Sequence, residues 1–190
     1  MIYLVRHGES EANIQKRYSG ITDVDLSQNG KLQAKIAGRN LCTEKVSHIY
    51  TSPLKRAQDT AKIISNEINF SKKIITEPCL IEVNFGIFEN LTWDEICLHH
   101  KTETENWILK RHKYKFPEGE DYNDIIKRTS VFMDKVPDNS LIVTHFGVIQ
   151  AILLYFGIAD DLSLWNLIIS NCDILVLNNK KIERIIKCNN

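Results

Sequence analysis

A short apolar run, Ile2-Tyr3-Leu4-Val5, ends abruptly at Arg6-His7-Gly8, and the same order returns late in the chain. There Ser140-Leu141-Ile142-Val143-Thr144 ends at His145-Phe146-Gly147, and a helical run follows. Short apolar runs bounded by turn signals suit strands buried on both faces, as in parallel sheets. Amphipathic stretches of helical period separate them for most of the length. That alternation predicts an α/β fold: a three-layer sandwich with a mostly parallel central sheet and helices on both faces. Parallel strands point their C-terminal ends one way, and such sheets bind ligands in the crevice beyond those ends. The first strand delivers an arginine and a histidine there, and the later one a second histidine. Taken alone, an arginine and a histidine at a strand end fit an edge cap as well as a site.

The intervening chain supplies more pieces. Residues 9–25, with Arg17-Tyr18-Ser19-Gly20, read as a long irregular loop with a helical turn near 10–13. Connections of this length are usually functional or disordered. Ser27 is the expected N-cap of a helix reaching about residue 42, with Leu32, Ala34, Ile36, Ala37 and Leu41 as its apolar or small positions. A buried strand is expected over 48–51. Ser52-Pro53 then reads as an N-cap and first helical residue, leading a helix whose stripe is Leu54, Ala57, Ala61, Ile64 and Ile68. Arg56 falls in its first turn, again beside a strand's C-terminal end.

A third strand is expected over 73–76 and an ordered loop over 80–89. Thr92 and Glu95 form a capping box that starts a helix to about residue 100. A charged region with Trp107 and the basic run 110–115 follows, then a turn over 116–120. A helix over 121–136 should bury Tyr122, Ile125, Ile126, Thr129 and Phe132. After a turn at 137–139 come the strand over 140–144, a helix over 148–156, and a closing hairpin of 171–177 and 181–186 turning at 178–180.

At 190 residues the chain suits one domain over 1–190. Lys plus Arg and Asp plus Glu are 24 each, so the net charge is zero. No general attraction to nucleic acid or an anionic membrane follows, and any anion affinity must be local. Met1 to Val5 are too short for a signal-peptide core, and the apolar stretch 148–159 is too short to cross a bilayer. A cytoplasmic protein is therefore expected. The five cysteines, Cys42, Cys79, Cys97, Cys172 and Cys188, are odd in number and make no C-x-x-C pair, so reduced thiols, mostly packed in the core, are expected. His99 and His100 suit a helix C-terminus, and His48 and His112 read as structural or solvated. The basic run reads as a solvated face and Trp107 as packing. No metal and no cofactor are called for.

Arg6, His7, Arg56 and His145 in one crevice would repel one another unless an anion joined them. Each unit charge pair at ~4 Å is worth about 4 kcal/mol at an effective dielectric of 20, and a phosphoryl group brings roughly two charges. Arginine's planar fork can grip two phosphate oxygens at once.

Four motifs also carry a family resemblance. Arg6-His7-Gly8-Glu9-Ser10 with Asn13 and Tyr18-Ser19-Gly20, the run from Ser52-Pro53 through Arg56 to Ala61, Leu80-Ile81-Glu82-Val83-Asn84-Phe85-Gly86, and Val143-Thr144-His145-Phe146-Gly147 together resemble the histidine phosphatase superfamily, in its order and spacing. The resemblance implies a phosphoglycerate mutase-like fold and a metal-free phosphomonoesterase. His7 would be the nucleophile that carries a phosphohistidine. Arg6, Arg56 and His145 would hold the transferring group, and Asn13 and the backbone of Ser19 and Gly20 would add donors, with Phe146 lining the substrate site. Glu82, otherwise a plain loop acid, would act as general acid and then base. The chain is short after the acid loop, where mutases of this family carry extra sequence, which favours hydrolysis. Phe85 to Thr92, then Pro117, Gly119, Glu120, Arg128 and Phe132, is similar to the α-ribazole phosphatases of cobalamin biosynthesis, except that Phe88-Glu89-Asn90 stands where Trp-Glu-Gly is usual. A small phosphate ester is the implied partner, α-ribazole 5′-phosphate in particular. A broad-specificity sugar-phosphate phosphatase, a phosphoglycerate mutase and a non-catalytic phosphate-binding protein are the alternatives.

Overall fold

The computed structural model describes residues 1–160, 163–164 and 166–188. Its six-stranded sheet is built from β1 (Ile2–Arg6), β2 (His48–Thr51), β3 (Ile75–Thr76), β4 (Ser140–Thr144), β5 (Ile174–Asn178) and β6 (Lys181–Ile186), in the order β3-β2-β4-β1-β5-β6. β3, β2, β4 and β1 are parallel, and the closing hairpin adds β5 and β6 antiparallel. Asn179 and Lys180 both take positive φ, 48° and 58°, the backbone that a tight hairpin turn of matching twist requires.

Side chains alternate across the strands, and each set finds its own helices. Tyr3, Val5, Leu141, Val143, Ile174 and Val176 pack with Ala34, Ala37 and Leu41 and with Ala57, Ala61 and Ile64. These come from α2 (Gln28–Asn40), its following turn, and α3 (Lys55–Glu67). Leu4, Ile142, Leu175 and Leu177 face the opposite way, onto α6 (Tyr122–Lys135) and α7 (Phe146–Tyr155). The sandwich is thus three layers. The helices α1 (Glu11–Ile14), α4 (Trp93–His99) and α5 (Lys101–Lys110) belong to the loops above the sheet.

Several local expectations change. Ser52 and Pro53 do not start α3: its N-cap is Leu54, without a side-chain cap bond, and the Ser52 hydroxyl is engaged elsewhere. α7 begins at Phe146 rather than 148, with His145 at its N-cap. β3 is two residues long, and α5 occupies the charged region left unassigned. α5 has no side-chain cap and few apolar residues, so its local signal is weak; buried Thr104 and half-buried Trp107 tie it to the core. The five cysteines are free.

Candidate active site

The register of the central strands assembles the site. Arg6 pairs with Thr144 and Thr51 with Val143, so the residues that follow, His7, His145 and Ser52, lie side by side where the three strands end. The His7 and His145 rings meet edge to face with centroids 5.0 Å apart. His7 Nδ1 lies 2.7 Å from the Gly8 carbonyl oxygen, which can only accept. The proton of neutral His7 is therefore on Nδ1, and Nε2 carries the lone pair. Burial, then the charges of Arg56 and Arg6, hold the His7 pKa well below the imidazole range, so the ring is neutral at pH 7. Gly8 is required less for its own dihedrals than for a close approach: a Cβ there would sit 2.5 Å from the Gly30 carbonyl oxygen at the start of α2.

Arg6 donates from one terminal nitrogen to the Ile169 carbonyl at 2.6 Å, and its guanidinium carbon lies 5.3 Å from the centre of the Phe146 ring. Arg56 is 1% exposed. Its guanidinium donates to the carbonyls of Ser19, Gly20 and Thr22 at 3.0, 2.7 and 2.9 Å. The opposite face of that loop is held by Glu89, whose carboxylate accepts from the backbone N–H groups of Gly20, Ile21 and Thr22, the Thr22 hydroxyl and the N–H of Phe85. The Gly20 N–H, expected to face the phosphate, is thus turned onto Glu89. The reason is packing: a Cβ on Gly20 would lie 1.8 Å from the Val83 carbonyl oxygen, so the loop runs hard against the acid loop.

Glu82 is 6% exposed, not a solvated loop acid. One oxygen accepts from its neighbour Val83 N–H at 2.9 Å and the other from Gly147 N–H at 3.3 Å. Burial pushes its pKa up, against the pull of those N–H groups and of Arg56 and Arg6. Arg128 braces this loop from below, donating to the carbonyls of Cys79 and Glu82 and to both oxygens of Glu120. Asn90 takes φ +62°, so asparagine makes the left-handed turn where glycine is usual. Asn13 completes the floor: its amide oxygen accepts from Ser10 N–H and from Asn171 Nδ2, which leaves its NH2 end as the donor for a ligand.

These groups open into a cavity of about 490 Å³. Arg6, His7, Asn13, Ser19, Arg56, Glu82 and Phe146 line it, whereas fully buried His145, beside His7, and Gly20 are not among the lining residues. Its outer wall is aromatic, made by Tyr18, Phe85, Trp93, Trp107, Phe116 and Tyr122, with Lys16, Arg111 and His112 also on it. The basic run is therefore only partly a solvated face, and Trp107 both packs and lines the cavity. Sequence reasoning missed Gln150, which accepts from Tyr122 at 2.5 Å. A lone amide inside the most apolar helix was its only signal. Glu89, Ser52 and Asn171 carried none that local pattern can read. Among the described residues no group of three or more His, Cys, Asp or Glu could hold a metal ion. Among them, too, no helix is long and apolar enough to cross a membrane.

Two histidines and two arginines gather beyond the parallel strand ends with a buried carboxyl beside them, an arrangement of charge suited to phosphoryl chemistry. A family profile described as "Histidine phosphatase superfamily (branch 1)" matches residues 2–190. Phosphoserine phosphatase 1 of Hydrogenobacter thermophilus is 36% identical over 135 residues, 71% of this chain and 63% of that one. Human 6-phosphofructo-2-kinase/fructose-2,6-bisphosphatase 1 is 33% identical over 159 residues, 82% of this chain. The chain spans 63% of the first relative's length and 32% of the second's. The α-ribazole phosphatase crystal structure from Shigella flexneri superposes with a TM-score of 0.83 over 97% of this chain and 95% of that one, at 23% identity, a likeness of fold. The chain belongs to the histidine phosphatase superfamily and has the mixed α/β fold of phosphoglycerate mutases.

Proposed function

We propose that residues 1–190 form one cytoplasmic phosphomonoesterase domain that hydrolyses a small phosphorylated metabolite through a phosphohistidine on His7. The observation that carries this reading is the His7 ring: neutral, with Nδ1–H fixed on the Gly8 carbonyl and Nε2 free, beside the buried Arg56 and half-buried Arg6 guanidinium groups. The Nε2 lone pair attacks phosphorus as the bond from phosphorus to the ester oxygen breaks. Protonated Glu82 gives its proton to that oxygen, and the alcohol leaves. Arg6, Arg56, His145 and Asn13 hold the phosphoryl oxygens throughout. Glu82, now a carboxylate, takes a proton from water while the water oxygen attacks phosphorus. The bond from phosphorus to nitrogen breaks, its electron pair returns to Nε2, and phosphate departs. The arginines supply the positive charge, so no metal is required.

For the leaving alcohol, α-ribazole 5′-phosphate is the substrate we favour. The aromatic wall suits a flat ring, and the fold is shared with the Shigella enzyme. Phosphoserine is the second reading, supported by the name of the Hydrogenobacter relative and by Lys16 and Arg111 on the cavity wall, which suit a carboxylate. Phosphate release should be measured over α-ribazole phosphate, phosphoserine, sugar phosphates, 3-phosphoglycerate and p-nitrophenyl phosphate, with and without EDTA. Hydrolysis that survives EDTA is expected, fastest on α-ribazole phosphate. A faster rate on phosphoserine would transfer the assignment, a flat profile over sugar phosphates would make the enzyme broad-specificity, and isomerised phosphoglycerate would make it a mutase. No hydrolysis of any ester would overturn the enzyme reading.

A further inference from the structure

Ser52, fully buried at the end of β2, has no part in the steps above, yet its hydroxyl oxygen lies 2.7 Å from His145 Nε2. The same oxygen accepts from the Leu54 N–H at 3.3 Å. A hydroxyl has one proton, and buried protons need acceptors. If His145 carried its proton on Nε2, Ser52 would accept twice and its own proton would have nowhere to go. With the Ser52 hydroxyl donating to Nε2, its proton and the Nε2 lone pair satisfy each other, and the proton of neutral His145 sits on Nδ1. That nitrogen is buried and has no partner among the described residues. Its ring stands edge to face against His7, the centroids 5.0 Å apart.

We propose that Ser52 is a positioning residue that fixes His145 as the Nδ1–H tautomer, making His145 a neutral donor to the group transferred to His7. The two imidazoles then hold opposite tautomers for opposite tasks. A carbonyl, which only accepts, leaves His7 with a lone pair on Nε2; a hydroxyl, which donates, leaves His145 with a proton on Nδ1. This inference rests on reading the site as one for phosphoryl transfer, but its first test does not depend on activity.

Long-range 1H–15N correlation spectra of the intact protein labelled at histidine, assigned by comparison with His145→Asn, report the tautomer directly. The expected result is a pyrrole-type Nδ1 and a pyridine-type Nε2 for His145, with the Nδ1–H proton moving downfield when inorganic phosphate is added. A pyrrole-type Nε2 in the unliganded protein would overturn the proposal. Ser52→Ala should lower kcat at least about 10-fold with KM little changed, the pattern of a lost transition-state donor, and should mix the His145 tautomers. Ser52→Thr, which keeps the hydroxyl, should restore both. Ser52→Ala with wild-type kcat and an unchanged tautomer would also overturn it. Should Ser52→Ala not fold, the wild-type spectrum still decides. A protein that hydrolyses nothing yet shows the Nδ1–H tautomer would sink the proposed function alone.

Discussion

At the scale of single residues, the site depends on which nitrogen bears a proton and which oxygen is buried. His7 is the proposed nucleophile because its neighbour's carbonyl removes Nδ1 from competition. His7→Ala should therefore give no 32P-labelled protein after mixing with labelled ester and acid quench. Label that persisted there but vanished in His145→Ala would reverse the two roles. Glu82 owes its raised pKa chiefly to burial, the direction that the proposed general acid needs. Glu82→Gln should slow hydrolysis of alkyl phosphates by ~10²–10⁴, the usual worth of a positioned acid. It should slow p-nitrophenyl phosphate far less in the first step, because that phenolate leaves without a proton. Equal losses on both ester types would assign Glu82 to structure instead. Arg6, His7, Arg56 and His145 could be proposed from sequence because strand-end motifs are local, whereas Glu82 is reached only through the family resemblance. The Gly20 N–H could not be placed, since its partner Glu89 lies far along the chain and local pattern says nothing of where a loop amide points.

At the scale of elements, the acid loop is a strap between two anchors. Arg128 on α6 grips Glu120 with two nitrogens and reaches the Cys79 and Glu82 carbonyls behind it. Lysine offers one point charge in place of this fork. Arg128→Lys should cost about 1–3 kcal/mol of stability, given charge-assisted bonds that are only part-buried, and should lower kcat on alkyl esters, read by thermal unfolding and steady-state kinetics. On the other side, the first turn of α7 leaves no room beside Glu82. A Cβ on Gly147 would lie 2.4 Å from Val83 Cγ2 and 2.8 Å from Glu82 Oε1. Gly147→Ala should therefore displace the carboxyl and depress alkyl-ester turnover more than p-nitrophenyl phosphate turnover, as Glu82→Gln does. Equal loss on both esters would point to a general collapse of the site. Capping signals located α2 and α4 closely, because Ser27 and Thr92 bond their own helices, while the apolar stripe located α6. Ser52 misled for the converse reason: its hydroxyl is the kind that caps a helix, but here it turns to a histidine from another strand.

At the scale of the whole molecule, burying two neutral histidines couples stability to pH. Both have pKa values well below the imidazole range when folded, chiefly from burial. As pH falls below ~6.5 the unfolded chain takes up protons that the folded one refuses, so stability falls, by up to about 1.4 kcal/mol per pH unit for each histidine. Glu82, raised by burial, has the opposite slope: its contribution falls as pH rises from ~4.3 toward its folded value. Two histidines outweigh one carboxyl. The melting temperature should drop between pH 7 and pH 5, less steeply in a His7→Gln, His145→Gln double variant, and inorganic phosphate should raise it in the wild type alone. A double variant with the wild-type pH slope would place the linkage elsewhere.

The sequence by itself determined the alternation of strand and helix, the three-layer class and the residues at the strand ends. Those follow from hydrophobic period, turn chemistry and short motifs, which act over a few neighbouring residues. Only the tertiary structure decided which of these residues touch. Strand order and register set Ser52, His145 and His7 in a row, buried Glu82 against α7, and turned the Gly20 amide onto Glu89. Those contacts join parts of the chain from about 60 to 140 residues apart in sequence, and loop closure over such distances is settled by the packing of the whole sheet rather than by any local preference.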